Sequence, residues 1–156
     1  MIKIYNTEKK RKEEEIQRVV QIPQKQGLKV SFYIETKNHK ILFDFGQSDI
    51  FVENAERMGI DLSKVDIAIL SHGHYDHGGG LKKFLEANTK APVYINKHAF
   101  EPHYNGAEKY IGLDTSLSRN PRLIYIEKET AISDNLIIYP FNENKRKYAL
   151  TCSGLN

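Results

Sequence analysis

The segment from Val65 to Leu81, VDIAILSHGHYDHGGGL, joins an apolar run of strand length to a group of histidines and three consecutive glycines. An apolar run of this kind is typical of a buried strand. The spacing of Leu81, Phe84 and Leu85 predicts a helix over residues 80–87. The polar residues in between therefore follow the carboxyl end of a buried strand, where open α/β sheets bind their ligands. This segment favours an α/β fold with a site at one edge of its sheet.

The polar residues of this segment are of the types that bind metal. His72, His74, Asp76 and His77 offer four potential ligands within six positions, and they include three of the six histidines in the sequence. Zinc takes imidazole nitrogen and carboxylate oxygen at catalytic sites. Zinc, as one or two ions, is our first expectation, although the same ligands also suit iron or manganese. His72 and His74 can bind one metal, while Asp76 and His77 can serve a second.

Asp76 is the candidate catalytic residue, because a carboxylate at a metal site can be a ligand, a proton acceptor or both. A loop that turns four side chains inward also needs unusual backbone angles. We expect Gly73 and the glycines of 78–80 to supply them.

The rest of the chain predicts a mixed sheet with a few helices. Helices are predicted at 48–58, with Ser48 as N-cap and Gly59 as the stop, and at 8–20, where Ile16, Val19 and Val20 give a small apolar face. Strands are predicted at 1–5, 29–36, 40–45, 65–70, 92–95, 122–127, 135–140 and 147–152. This order favours an α/β (α+β) sandwich over a regular parallel sheet.

Composition restricts the class of protein. The sequence has 156 residues, 23 basic and 20 acidic, with a net charge of +3, which is too balanced to favour nucleic acid as a partner. A single cysteine, Cys152, excludes an internal disulfide, and the apolar runs are too short to span a membrane. The N-terminal residues lack the apolar core of a secretory signal. We expect a cytoplasmic protein without a membrane partner.

Two motifs resemble those of a known family. HGHYDH fits the His-x-His-x-Asp-His signature of the metallo-β-lactamase superfamily, and ILFDFGQS, with Asp44 and Gly46, resembles the strand and turn that precede it there. Together with GQSDIFVENAERMGIDLSKVD, the segment is most similar to the branch that contains the archaeal-type dihydropterin–aminobenzene phosphate synthase. The resemblance covers roughly residues 28–140.

The resemblance implies an αββα sandwich with one or two metal ions at the sheet edge. It implies that His72 and His74 bind the first metal, that Asp76 and His77 bind the second, and that Asp44 supports the ligands from behind. It further implies a metal-dependent hydrolase, or a related transferase, in which a metal-bound hydroxide attacks an ester, amide or phosphoester of a small-molecule substrate.

The sequence departs from the family late in the chain. Members are usually longer, and their third histidine, bridging aspartate and last histidine all come late. KYALTCSGLN resembles the segment of the third histidine but contains none. We expect one domain over 1–156, a short or truncated form that lacks the late ligand motifs and is incomplete in its C-terminal half. Whether His98 or His103, a partner or nothing replaces those ligands stays open.

Two other functions remain open beside the hydrolase. One is a metal-binding but catalytically silent half-domain that acts through association. The other is a nucleic-acid-processing relative, for which NKRK at 144–147 is the one basic run in the C-terminal half. A half-sandwich would leave the apolar face of KILFDF and VDIAIL uncovered, which predicts a homodimer. If the strands after residue 121 cover that face, a monomer is expected instead.

Overall fold

A mixed sheet of six strands organises the chain. The structure, a computed structural model, describes residues 3–5, 16–23, 31–134 and 136–140. The strands are β1 Lys3–Tyr5, β2 Ile16–Ile22, β3 Ser31–Thr36, β4 Lys40–Phe43, β5 Ile67–Leu70, β6 Val93–Asn96, β7 Tyr104–Asn105, β8 Lys109–Tyr110, β9 Leu123–Ile126, β10 Thr130–Ser133 and β11 Leu136–Tyr139. The helices are α1 Ile50–Arg57, α2 Tyr75–Gly78 and α3 Leu81–Ala87, with 3₁₀ turns at Leu62–Lys64 and Thr115–Arg119.

The large sheet has the strand order β2-β3-β4-β5-β6-β9. The first three strands are antiparallel, as the predicted hairpin requires, and β4, β5, β6 and β9 run parallel. Helix α1 connects β4 to β5, and helices α2 and α3 connect β5 to β6. Because parallel strands end at the same edge, the residues that follow β4, β5 and β6 converge there.

One face of the large sheet packs on helices α1 and α3. The side chains of this core that lose all contact with solvent include Leu42, Leu70, Val93 and Ile95 from the sheet and Phe51, Ala55, Leu81 and Phe84 from the helices. Phe45, from the turn after β4, joins them with its ring centroid 5.2 Å from that of Phe84. Aromatic contacts of this kind fix the turn against the helices that flank the predicted metal site.

The opposite face packs on a second sheet of three antiparallel strands, in the order β1-β11-β10. Ile41, Ile67 and Ile69 of the large sheet are at most 4% exposed and cluster with Leu136 and Ile138 of β11. The apolar face from which we predicted association is therefore covered within the chain. The homodimer itself remains a prediction, but this face gives no reason for it.

The layers agree with the predicted fold class. Helices, the large sheet and the small sheet are stacked in that order through the two apolar clusters. These are three consecutive layers of the expected αββα sandwich. The strand predicted at 147–152 lies outside the described residues.

The N-terminal prediction was wrong where the structure can test it. Residues 16–20 belong to strand β2, not to the helix predicted over 8–20, and the earlier part of that range lies outside the described residues. In β2, the β-branched residues Val19, Val20 and Ile22 pair antiparallel with β3. Pairing with a distant strand therefore outweighed the helical spacing of the charges, whose contribution of about 0.2–0.5 kcal/mol per pair is small.

Two smaller details also differ from the predictions. Helix α1 starts after Asp49 rather than after Ser48, and the cap makes no side-chain hydrogen bond, whereas Gly59 ends the segment with φ +71° as expected. Strand β10 was not predicted. Among the described residues, no helix is both long and apolar enough to cross a membrane.

Candidate metal centre

Asp44 lies at the centre of the predicted site, just beyond the end of β4. Its backbone is left-handed, with φ 62°, which for a non-glycine residue is best tolerated by Asp or Asn. The carboxylate is 3% exposed. Its Oδ1 accepts a hydrogen bond of 2.7 Å from the backbone N–H of Ser71, and its Oδ2 accepts one of 2.8 Å from the Ser71 hydroxyl. Asp44 thus ties the turn after β4 to the start of the histidine segment after β5.

The histidine segment brings three ligand groups to one point. His72 lies in a bend after β5, whereas Asp76 and His77 lie on the short helix α2. One ligand atom each of His72, Asp76 and His77 can be chosen so that all lie within 4.8 Å of one another. The structure therefore joins His72 to the pair that the sequence assigned to a second metal.

His74 lies at the side of this group. It is the N-cap residue of α2, and its ring centroid is 4.7 Å from that of His72, while the rings of His72 and His77 are 4.0 Å apart. All four predicted ligands therefore lie in one cluster, although His74 is not part of the group whose ligand atoms converge within 4.8 Å.

Hydrogen bonds select which ring nitrogen of His72 and His77 carries the proton. A carboxylate only accepts, so Ser71 Oγ donates to Asp44 and accepts from Nδ1–H of His72 at 2.9 Å. In the same way, Nδ1 of His77 donates to Asp44 Oδ2 at 2.7 Å. Both Nε2 atoms then keep a lone pair for a metal, which is how carboxylates and hydroxyls orient metal-binding histidines. Sequence reasoning missed Ser71, although its position between the buried strand and the first histidine was a usable signal.

The environment keeps His72 and His74 neutral. Burial is the main cause that lowers the pKa of His72 to about 4, and the neighbouring His77 and His74 lower it further. Burial also lowers the pKa of His74, helped by His103. Neutral imidazole is the form that binds metal, so at pH 7 no proton has to be displaced from either ring.

The glycines of the segment matter because they lack a side chain, not because they adopt unusual backbone angles. Gly79 and Gly80 have φ of −62° and −81°, so our expectation of unusual angles was wrong there. A Cβ at Gly80 would lie 2.3 Å from the carbonyl oxygen of Phe45, and one at Gly79 would lie 2.0 Å from that of Gln47. Helix α2 can approach the turn after β4 because these positions have no side chain.

The hairpin of β7 and β8 lies beside the histidine segment. Backbone N–H of Tyr75 donates to Ile111 O at 2.9 Å, and Ile111 N–H donates to His103 O at 2.8 Å. The ring of His103 lies 5.0 Å from that of His74. His98, in contrast, pairs with Glu101 through a side chain that is half exposed. Of the two histidines left open by the sequence, only His103 contacts the cluster.

The site can thus present imidazoles, among them the neutral rings of His72 and His74, and a carboxylate to one metal or to a close pair. It combines nitrogen and oxygen ligands, as catalytic zinc and iron sites do.

Comparison with curated proteins finds several relatives of the chain. An uncharacterised protein of Methanocaldococcus jannaschii is 33% identical over 125 residues, 77% of this chain and 48% of that protein. The 7,8-dihydropterin-6-methyl-4-(beta-D-ribofuranosyl)-aminobenzene-5'-phosphate synthase of the same organism is 32% identical over 78 residues, 46% of this chain and 26% of the synthase. The anaerobic nitric oxide reductase flavorubredoxin of Salmonella arizonae is 30% identical over 102 residues, 60% of this chain and 20% of the reductase. The chain spans at most about half of the length of these relatives.

A solved structure and a family model agree with these relatives. A metal-dependent hydrolase of the beta-lactamase superfamily matches with a TM-score of 0.50 and 32% identity, over 69% of this chain and 39% of the hydrolase. The sequence model of the metallo-beta-lactamase superfamily matches residues 26–144, a range that contains Asp44 and the whole histidine segment. The chain therefore belongs to the metallo-β-lactamase superfamily.

Proposed function

We propose that this chain binds a transition metal through His72, His74, Asp76 and His77 and hydrolyses a small-molecule ester, amide or phosphoester, or carries out a related transfer. The observation that carries the proposal is the convergence of ligand atoms from His72, Asp76 and His77 to within 4.8 Å of one another. Zinc is the first choice of metal, as one or two ions, and iron or manganese is the alternative.

The residues of the site fit such a metal. The hydrogen bonds of Ser71 and Asp44 engage Nδ1 of His72 and Nδ1 of His77, which orients both rings with Nε2 as the ligand atom. His72 and His74, two partly buried imidazoles that their surroundings keep neutral, lie beside the partly buried carboxylate of Asp76, so a bound cation would find nitrogen and oxygen ligands together. When bound, a divalent ion of this kind would activate water and polarise the carbonyl or phosphoryl oxygen of the substrate.

The chain's own groups would orient and protonate the reactants. Asp76 would hold or accept a proton at its carboxylate oxygen, and Asp44 would keep His77 from turning its protonated nitrogen toward the metal. Glycines at 79 and 80 keep α2 against the turn after β4, so that Asp76 and His77 stay next to His72. Such fixed positions are what a catalytic site requires.

The names of the relatives support metal-dependent chemistry but differ in the reaction. One is a metal-dependent hydrolase, one is a phosphate synthase and one is a nitric oxide reductase. Hydrolysis is our choice because the matched solved structure is the hydrolase. A cytoplasmic location is part of the proposal, based on the single cysteine of the sequence.

The deciding experiment is elemental analysis of protein purified without added metal, followed by turnover of generic ester and phosphodiester substrates. We expect bound metal, turnover that a chelator abolishes, and loss of both in the His72→Ala/His74→Ala double variant. Unchanged metal content in the double variant would contradict the ligand assignment. Bound metal without turnover would favour the catalytically silent half-domain, and salt-dependent RNA binding would favour the nucleic-acid-processing relative.

A further inference from the structure

A fourth histidine, His103, extends the cluster toward the β7–β8 hairpin. Its ring lies 5.0 Å from that of His74, at an interplanar angle of 81°. The neighbouring ring distances are 4.7 Å from His74 to His72 and 4.0 Å from His72 to His77. The four rings therefore form a continuous row along the edge of the sheet, although His103 is 26 positions further along the sequence than His77.

The Nε2 atom of His103 is buried and has no hydrogen-bond partner among the described residues. Such atoms are rare in folded proteins, because desolvating a polar nitrogen without a partner is costly. His98, five positions earlier, shows the ordinary alternative, a half-exposed ring paired with Glu101. The Nε2 atom of His103 thus lacks a partner in the described part of the chain, and the ring of His74, a proposed metal ligand, lies beside it.

The loop between His72 and His74 is shaped to admit this ring. A Cβ at Gly73 would lie 2.9 Å from Nε2 of His103 and 2.0 Å from the carbonyl oxygen of Ala99. Only glycine allows His103 to approach the loop this closely. The backbone of His103 is also held to α2 by the two hydrogen bonds through Ile111, at 2.8 and 2.9 Å. The backbone that carries His103 is therefore held beside the histidine segment.

We propose that His103 is a ligand of the metal centre, its Nε2 joining His72 and His74 on the same ion. The proposal rests on the proposed metal binding of the histidine cluster. It gives that ion three protein ligands, the number that catalytic zinc sites commonly use.

The test is a metal titration of chelator-treated protein in three forms: wild type, His103→Gln and His98→Gln. The His98 variant is the matched control, since it makes the same change in the same segment outside the cluster. With Zn²⁺, the His103 variant should lose affinity by at least about tenfold, and with Co²⁺ its visible spectrum should differ from that of wild type. The control should match wild type in both. Circular dichroism and melting of the metal-free proteins show whether the His103 variant is folded.

Wild-type protein labelled with ¹⁵N-histidine gives a measurement that needs no variant. On addition of Zn²⁺, one imidazole nitrogen of His103 should shift with those of His72 and His74, while the His98 signals stay in place. Zinc-induced shifts that leave His103 unmoved, or unchanged zinc affinity and cobalt spectrum in a folded His103→Gln protein, would overturn the inference. Wild-type protein that binds neither metal would instead refute the proposed function.

Discussion

Asp44 connects its neighbours through the acceptor character of its carboxylate. Replacing Asp44 by Asn keeps the shape and suits φ 62°. Because the Ser71 backbone N–H keeps the amide oxygen at the Oδ1 position, the amide N–H₂ lies opposite both Nδ1 of His77 and the Ser71 hydroxyl. His77 must then accept through Nδ1 and carry its proton on Nε2, which faces the metal. We expect metal affinity to fall by about 10- to 100-fold, measured by titration, while metal-free Asp44→Asn unfolds near wild type. Wild-type affinity in this variant would show that the carboxylate does not set the His77 tautomer.

Asp76 is the residue at which catalysis and folding can be separated. In a metal-dependent hydrolase, Asp76→Asn should lower turnover by at least about 100-fold, the lower end for general acid–base catalysis. It should change the free energy of unfolding by less than about 1 kcal/mol, since the side chain is only partly buried. Asp49→Asn is the matched control, because Asp49 caps α1 without a side-chain hydrogen bond. An Asp76→Asn protein with wild-type turnover would show that the role is misassigned.

How far these residues could be predicted depended on sequence separation. Four potential ligands within six positions can be recognised from the sequence, because one short segment contains them all. Ser71 acts through Asp44, which the parallel pairing of β4 and β5 brings next to it. His103 lies against Gly73 because the β7–β8 hairpin packs beside the histidine segment. Local patterns predict the ligands of such a site better than the groups that orient them.

At the scale of elements, α2 and α3 depend on the glycines that let them approach the turn after β4. Gly80→Ala would place a methyl group 2.3 Å from the Phe45 carbonyl oxygen and 2.6 Å from the Phe51 ring. Both aromatic residues are fully buried, so they cannot move away from the added methyl group without disturbing the core. We expect a loss of about 1–3 kcal/mol in unfolding free energy, measured with urea on metal-free protein, against less than about 0.5 kcal/mol for the exposed control Lys82→Ala. A stable Gly80→Ala protein would mean that α3 can move away without penalty.

Elements with a strong local pattern were predictable, and those specified by pairing were not. The buried strand β5 and helix α3 agree with their periodicity within two residues at each end. Strand β2 was predicted as a helix, because its charges have helical spacing while its pairing with β3 is not visible in its own residues. Strand β10 was not predicted for the same reason. Its sequence TAIS lacks a clear alternation of apolar and polar residues, and it pairs with β11 across a register shift.

At the scale of the whole molecule, the two sheets decide where copies of the chain could meet. The face between the sheets is closed by Ile41, Ile67 and Ile69 against β11. Large apolar side chains are exposed elsewhere, including Ile16 and Val19 of β2 at 62% and 55%. Within the part of the chain that the structure describes, β2 pairs with β3 alone. An edge strand with exposed apolar residues is a ready site for pairing with another chain.

The homodimer, if it forms, should therefore continue the large sheet through β2. Light scattering after size exclusion should give a species heavier than 18.0 kDa for wild type, and Ile16→Lys/Val19→Lys should shift it to the monomer, because lysine on an edge strand opposes pairing. Ile124→Lys is the matched control, since Ile124 is 39% exposed on β9 at the opposite edge of the same sheet. A wild-type species of 18.0 kDa at micromolar concentration would reject association. If the β9 variant alone became monomeric, the copies would meet at that edge instead.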